Sequence, residues 1–577
     1  MRLDLKALAT RNWKNSRPFV VFLFFFCIFI EMMLFHFLNF RSILISSIVK
    51  SPIDALAFYL PKLGIALCVS SFLFISKRGY WSIVFLLLLN IWILANSIYF
   101  RSYDSVLDLS AIKMADNMSG YWSSVFYYLQ WSDLMCFAIT IFYIVFFFLC
   151  RRNGKKNISV FLVIFVLSYV LNLLGVECKR ICFKRDFYAT DNLEHYFNPF
   201  SKDMRWRMIS LHSVRCVKEF SILHQVGFIL NDSFSAFDEN CKLTEEEKDF
   251  VDNSLLLKQC NESFSNPLII VVFESLEDWA INPVVTPNLW NYMSDHSYLR
   301  CRTIKPQVAG GNSMDGQMII NTGLLPISEG AVAFTFPNRK LPNIAECSKG
   351  ENAVIVPHDV HVWNQMYMSW NFGYDTTISV SPDELELFSK AVELRHDSFQ
   401  VIQIITGASH APFTYGAQRS TLELPNNMPS YLSQYMKSVH YTDECMKLLL
   451  DALENDSTFS DAILVVAADH TILYGNRRME SEKCIREMGY NWGVERNTSA
   501  FLLFSGQDNI RIIDGVETYQ MDIYPTIINE LGINTNWRGV GVSLYHPYKC
   551  ENRTISEESA QYISNKLIRS DYLNHKK

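Results

Sequence analysis

The sequence predicts two architectures in one chain: an amino-terminal α-helical membrane domain of about five spans, then an extracytoplasmic α/β domain with a mainly parallel central sheet. Three observations carry this. Long apolar stretches crowd the first third of the chain. Short apolar runs then alternate with helix-patterned segments. Four of those runs break off at residues able to bind a metal or move a proton: LIIVVF before Glu274, AVIV before Pro357 and His358, FQVIQII before His410, and AILVVAA before Asp469 and His470. At 577 residues the chain has room for several domains.

The apolar stretches fall at roughly 18–40, 54–76, 80–100, 131–150 and 158–176. Each is long enough, or nearly so, to cross ~30 Å of hydrocarbon as a helix. Glu31, inside the first, needs a polar neighbour or the interface. The hydrophobic content of 50% reflects this concentration near the front. The net charge of −6, from 52 basic and 58 acidic residues, is too mild to point to nucleic acid.

Lys and Arg set the orientation. Arg2, Lys6, Arg11, Lys14 and Arg17 precede the first span; Lys77 and Arg78 lie in a second connection, and Arg151, Arg152, Lys155 and Lys156 in a third, on the same side. The amino terminus is therefore expected in the cytoplasm and the chain beyond residue 177 outside it. The first apolar run is long and lacks a small-residue cleavage site, which argues against a cleaved signal peptide. The expected divisions are a membrane domain over 1–176, a juxtamembrane linker over 177–262 that could form amphipathic helices or an ordinary helical subdomain, and a soluble domain over 263–577. Of the 14 cysteines, the eight beyond residue 200 permit disulfides whose pairing sequence cannot choose, and none has the spacing of a zinc knuckle.

From about 266 to 548, strand-like runs alternate with helical patterns such as SYLSQYMKSVHYTDECMKLLLDALEND and MDIYPTIINELGI. That alternation implies a parallel sheet covered on both faces, and such sheets gather ligands at the carboxyl ends of their strands. Glu274, Asp469 and His470 offer hard oxygen ligands and one imidazole, a mixture that suits manganese or zinc, with magnesium a weaker fit. Standing alone, an Asp-His pair also reads as a surface turn. In VAGGNSMDGQMIINTGLL, Ser313 opens a helix-like stretch after two glycines. Serine there serves equally as a helix cap or as a hydroxyl beside a phosphate-binding helix start. A divalent ion on Ser313 Oγ would turn the second reading into a nucleophile.

The ordered series FES (273–275), GGNSMDGQ (310–317), HDVHVWNQM (358–366), GASHAPF (407–413), AADHTILYG (467–475), DIYPTIINELGI (522–533) and WRGVGVSL (537–544) resembles the lipoteichoic acid synthase family. These are membrane-anchored phosphoglycerol transferases of the sulfatase and alkaline phosphatase superfamily, and the likeness covers nearly the whole chain. The resemblance implies that Glu274, Ser313, Asp469 and His470 hold one divalent ion, usually Mn2+, and that Ser313 replaces a frequent threonine nucleophile. It implies that His410 contacts substrate and that His358 and Trp363 line a glycerol phosphate pocket. Two departures stand out at the expected substrate-binding residues: Gln365, counted among them, occupies the place of an arginine, and the shorter His358 to Trp363 spacing makes His361 a rival for the histidine role.

The expected reaction is transfer of a phospholipid head group, glycerol phosphate from phosphatidylglycerol, through a phosphoserine at Ser313 to a glycan or lipid-linked hydroxyl, with His410 assisting. The expected setting is a bacterial plasma membrane. Phosphoethanolamine transfer is the runner-up, although that branch usually has Glu-Thr where Glu274 and Ser275 stand here. A membrane-bound phosphodiesterase and an inactive tethered binding protein are further alternatives. Sulfate ester hydrolysis is disfavoured because Asp315 and Gln317 stand where C/S-x-P-x-R needs proline and arginine.

Overall fold

The computed structural model of the protein describes residues 17–40, 51–77, 79–103, 107, 128–149, 156–187, 221–224, 226, 242–256, 263–327, 330–473, 475–505, 510–533 and 535–574. They divide into two compact units, one holding the apolar helices and one whose larger part is Phe237–Lys577.

The first unit is built from α1 (Arg17–Asn39), α2 (Pro52–Ser71), α3 (Trp81–Tyr103), α4 (Met135–Leu149) and α5 (Ile158–Phe187). Among the described residues, these five helices, α2 and α4 with the short turns adjoining them, are long and apolar enough to cross a membrane. Glu31 of α1 is buried, and it finds the polar neighbour its position demands: Thr140 Oγ1 of α4 donates to its carboxylate at 2.9 Å, and Asn90 of α3 donates to Thr140 at 2.6 Å. Small residues let α2 and α5 close on each other. A Cβ on Gly175 would lie 2.5 Å from Pro61, and one on Gly64 would lie 2.4 Å from Asn172. The helix α5 continues through Phe187, so the described start of the expected linker is helical. Most of the remaining linker, most of the orienting basic residues, and Cys216, Cys241 and Cys260 lie outside the described residues.

The second unit carries an eight-stranded sheet in the order β5-β4-β6-β1-β7-β8-β2-β9 and a two-stranded pair, β10-β3. Its strands are β1 (Leu268–Phe273), β2 (Tyr298–Cys301), β3 (Ile304–Lys305), β4 (Asn352–Val356), β5 (Thr376–Ser379), β6 (Val401–Ile405), β7 (Ile463–Ala468), β8 (Phe501–Phe504), β9 (Arg511–Ile513) and β10 (Thr518–Tyr519). The segment β5-β4-β6-β1-β7 is parallel throughout, while β8 runs antiparallel to both neighbours. The apolar runs become strands because every residue of β1, β4, β6 and β7 is buried, and a strand buried on both faces has no polar side to alternate.

The helices that matter here are α6 (Pro287–Asp295), α7 (Ser313–Thr322), α8 (Gln365–Asn371), α9 (Glu384–His396), α10 (Ser430–Asn455), α11 (Gly475–Glu487) and α12 (Ile523–Glu530). The end of the expected linker packs with this unit. Val251 and Leu255 lie in its core, and Lys566 pairs with Glu247 at 2.6 Å. Cys301, Cys347, Cys445, Cys484 and Cys550 are thiols, not disulfides.

Candidate active site

The four strands that end in chemically competent residues are neighbours in the sheet: β4, β6, β1 and β7 lie side by side and parallel. Their carboxyl ends therefore form one row, from His358 through His410 and Glu274 to Asp469 and His470. Phe273 pairs with Ala468 in register, which sets Glu274 and Asp469 side by side.

Ligand-bearing atoms of Glu274, Asp469 and His470 lie within 4.8 Å of one another, and all three residues are buried. His470 Nε2 is 3.5 Å from both Glu274 Oε1 and Asp469 Oδ2. Ser313 joins them from another element: its Oγ donates to Glu274 Oε2 at 3.1 Å and lies 3.3 Å from His470 Nε2. The helix α7 begins at Ser313 with Asn312 as its N-cap, so the serine is not the cap. Asn312 holds φ 46° and ψ −114°, a turn that delivers the hydroxyl into the cluster. Gly316 allows the approach, since a Cβ there would lie 2.5 Å from the Asp469 carbonyl oxygen. The Asp469-His470 pair is thus buried between elements rather than a surface turn.

The backbone braces the cluster. Asp469 Oδ1 accepts the N–H groups of Ser275 and His470, both at 2.8 Å, whereas Oδ2 is buried with no hydrogen-bond partner. A buried carboxylate oxygen without a donor is costly, and a cation would relieve it. Burial and the Glu274 charge push the Asp469 carboxyl up to about 7. Burial works against a charged His470, but the Asp469 and Glu274 carboxylates outweigh it and hold the imidazole above its usual value. Two carboxylates, an imidazole and a hydroxyl converging on a bare buried oxygen fit one divalent ion.

The other end of the row is looser. His410 is held by Nδ1 at 2.7 Å from the Ala411 carbonyl, and burial keeps its pKa below the usual value. His358 is half-buried, and burial likewise lowers its pKa, with the His410 charge adding to the effect. His361 is exposed, and its backbone N–H donates to the Asp359 carboxylate at 2.8 Å. Trp363 sits at φ 55° with its ring 5.3 Å from Phe334. Gln365 is buried, and its amide nitrogen donates to Gln317 at 2.9 Å and Ser369 at 3.1 Å. Gln317 lies one turn after Ser313 on α7 and returns a bond to Gln365 at 3.2 Å, so this amide pair ties the serine helix to the Trp363 segment.

Several supporting residues had no signal in the sequence. Thr406 accepts the Glu274 N–H at 2.9 Å, Ser409 donates to the Glu274 carbonyl at 2.6 Å, and Ser275, at φ 55°, donates to the Glu274 carboxylate at 2.8 Å. Gln520, just before α12, donates to the Asp469 carbonyl at 2.6 Å. Each is separated from its partner by many residues or is an adjacent residue of no special type.

A parallel sheet with an acid, imidazole and hydroxyl cluster at its strand ends defines the class: an α/β enzyme with a site able to hold a divalent ion beside a hydroxyl. Comparison with known proteins finds similarity to two families. Residues 3–192 match the lipoteichoic acid synthase N-terminal domain and residues 345–533 match the sulfatase domain. The lipoteichoic acid synthase of Staphylococcus saprophyticus is 23% identical over 547 residues, covering 87% of this chain and 80% of that protein. Among solved structures, the lipoteichoic acid synthase LtaP from Listeria monocytogenes is similar at 18% identity and a TM-score of 0.45, over 57% of this chain and 98% of that one. The lipooligosaccharide phosphoethanolamine transferase A of Neisseria meningitidis aligns over 90% of this chain and 96% of its own at 12% identity and a TM-score of 0.48. The chain thus carries a match to the lipoteichoic acid synthase N-terminal domain and a match to the sulfatase domain, and it is similar over most of its length to lipoteichoic acid synthases.

Proposed function

We propose that the protein transfers a phospholipid head group, glycerol phosphate from phosphatidylglycerol, to an extracytoplasmic hydroxyl through a phosphoserine at Ser313. The main support is the position of Ser313 Oγ, at the first residue of a helix and within 3.3 Å of both Glu274 and His470. The helix start favours an anionic phosphate, so nucleophile and anion site coincide. Glu274, Ser313, Asp469 and His470 would hold one divalent ion, Mn2+ before Zn2+ or Mg2+, which when bound would favour the serine alkoxide and offset phosphoryl charge.

In the first step Ser313 Oγ gives up its proton and bonds to phosphorus, the bond from phosphorus to the diacylglycerol oxygen breaks, and diacylglycerol leaves as the alcohol after taking up a proton. His410 binds the phosphate or passes that proton: with Nδ1 turned to the Ala411 carbonyl, Nε2 is the atom that exchanges it. In the second step a glycan or lipid-linked hydroxyl attacks phosphorus, loses its proton, and releases Ser313, giving ping-pong kinetics. His358, with Trp363, forms the head-group wall, and His361 does not. The spans over 1–176 anchor the chain in the membrane that supplies the lipid donor, 177–262 follows in the chain, and 263–577 carries the catalytic residues, with the amino terminus cytoplasmic and the site outside. Mass spectrometry of the Ser313 peptide, after incubation of the full chain with a defined lipid mixture, tests this. A glycerol phosphate adduct is expected; a phosphoethanolamine adduct would transfer the reading to the other head group, and an unmodified peptide in turning-over enzyme would end the phosphoserine mechanism.

A further inference from the structure

We infer that Glu277 and Arg478 form a splint that holds the two ligand-bearing loops in register, so that the pair sets metal affinity without touching the ion. The inference rests on the metal-site reading above. Glu277 follows Glu274 by three residues in the same loop and is fully buried, which would make it an obvious additional ligand. Its oxygens, however, are occupied. Oε1 accepts the N–H groups of Ile472 at 3.0 Å and Leu473 at 2.9 Å, just beyond Asp469 and His470 in the chain. Oε2 accepts Trp279 Nε1 at 2.7 Å. The Arg478 guanidinium grips both oxygens, with Nη1 2.9 Å from Oε2 and Nη2 3.0 Å from Oε1.

Arg478 is itself fixed. It lies in α11, is buried, and donates at 2.6 Å to the Val494 carbonyl and at 2.5 Å to Asn497. Tyr435 completes the frame from α10: its hydroxyl donates to the Ser275 carbonyl at 2.9 Å and accepts the Glu277 N–H at 3.1 Å. The loop after β1 and the loop after β7 are thus joined twice, at Asp469 to Ser275 and at Glu277 to residues 472–473. A two-pronged guanidinium on a carboxylate fixes orientation as well as distance, and a lysine cannot reproduce that fork. The guanidinium also neutralises Glu277, so the negative charge of the cluster stays with Glu274 and Asp469.

The test uses the full chain in detergent and follows Mn2+ binding by electron paramagnetic resonance, with turnover recorded separately. Arg478→Met and Glu277→Gln are each expected to weaken Mn2+ binding about tenfold to a hundredfold, the range for residues that orient metal ligands. Arg478→Lys should recover part of that loss, and the double variant should bind no worse than the weaker single one, because both substitutions open the same splint. The spectrum of the bound ion should broaden in the variants as ligand geometry loosens. Unchanged affinity in Arg478→Lys and Glu277→Gln, both conservative enough to fold, would overturn the splint. Additive losses in the double variant would do so too. A wild-type protein that fails to bind Mn2+, Zn2+ or Mg2+ would instead remove the metal reading on which the splint depends.

Discussion

The two ends of the strand-end row differ in how they are held. At the β1 and β7 end, Glu274, Asp469, His470 and Ser313 are cross-linked through side chains and backbone amides, and the three ligand residues are buried. At the β4 end, His358 is half-buried, His361 is exposed, and Trp363 sits in a short turn with φ 55°. On the function proposed above, the contrast separates two tasks. Bond making needs atoms placed to a few tenths of an ångström, which burial and redundant hydrogen bonds supply. Head-group recognition needs a surface that a lipid can reach, and loops supply that.

The sharpest way to break this contrast is at Ser313. Ser313→Ala should lower diacylglycerol release by at least ~10³-fold while leaving the fold intact, as removal of a nucleophile does; release at the normal rate would show that the braced end is not where chemistry happens. Next in size, Asp469→Ala should weaken Mn2+ binding by more than the ~100-fold expected of a residue that only orients ligands, measured by titration of the full chain. At the loose end the effects shrink and separate. His358→Ala should raise KM about tenfold with little change in kcat, the pattern of lost uniform binding, and His361→Ala should leave both near wild type. Equal effects of the two histidines would erase the distinction drawn between them.

The smallest effect concerns the joint between the two ends. Glu384 opens α9 and accepts the N–H groups of Gly407 at 2.7 Å and Ala408 at 2.5 Å, in the loop that carries His410. Burial pushes its carboxyl up to about 7 from an ordinary 4.5. A folded-state pKa above the unfolded one favours folding at low pH, and that contribution is lost as pH rises through about 7. Glu384→Gln should therefore flatten the fall in melting temperature between pH 5 and pH 8, read from thermal unfolding of the full chain. Parallel profiles for the variant and the wild type would show that Glu384 does not titrate in this range.

Much of the braced end was legible in the sequence because its residues follow continuous apolar runs, and a strand buried on both faces has to end where a polar residue appears. Glu274, Asp469 and His470 carry that signal directly. Ser313 carried an ambiguous one, since a serine at a helix start caps as readily as it attacks, and only the structure shows that Asn312, not Ser313, is the cap. Gln365 shows the opposite case. Its side chain pairs with Gln317, 48 residues away, and no periodicity predicts an amide pair across that distance. Glu277 and Arg478 are 201 residues apart and were equally silent.

By itself, then, the sequence determined which segments leave water, which become strands, and which chemical groups stand at the strand ends. Those properties are local: apolar length sets a membrane span, and burial on both faces sets a parallel strand. Strand order was decided only in three dimensions. Placing β4, β6, β1 and β7 side by side turned four separated polar stops into one row, and the helix starting at Ser313 brought the hydroxyl to its braced end. Side-chain packing then settled which neighbours are occupied and which are open. That left one buried carboxylate oxygen of Asp469 without a donor, where a cation fits, and closed off Glu277, which an arginine fills.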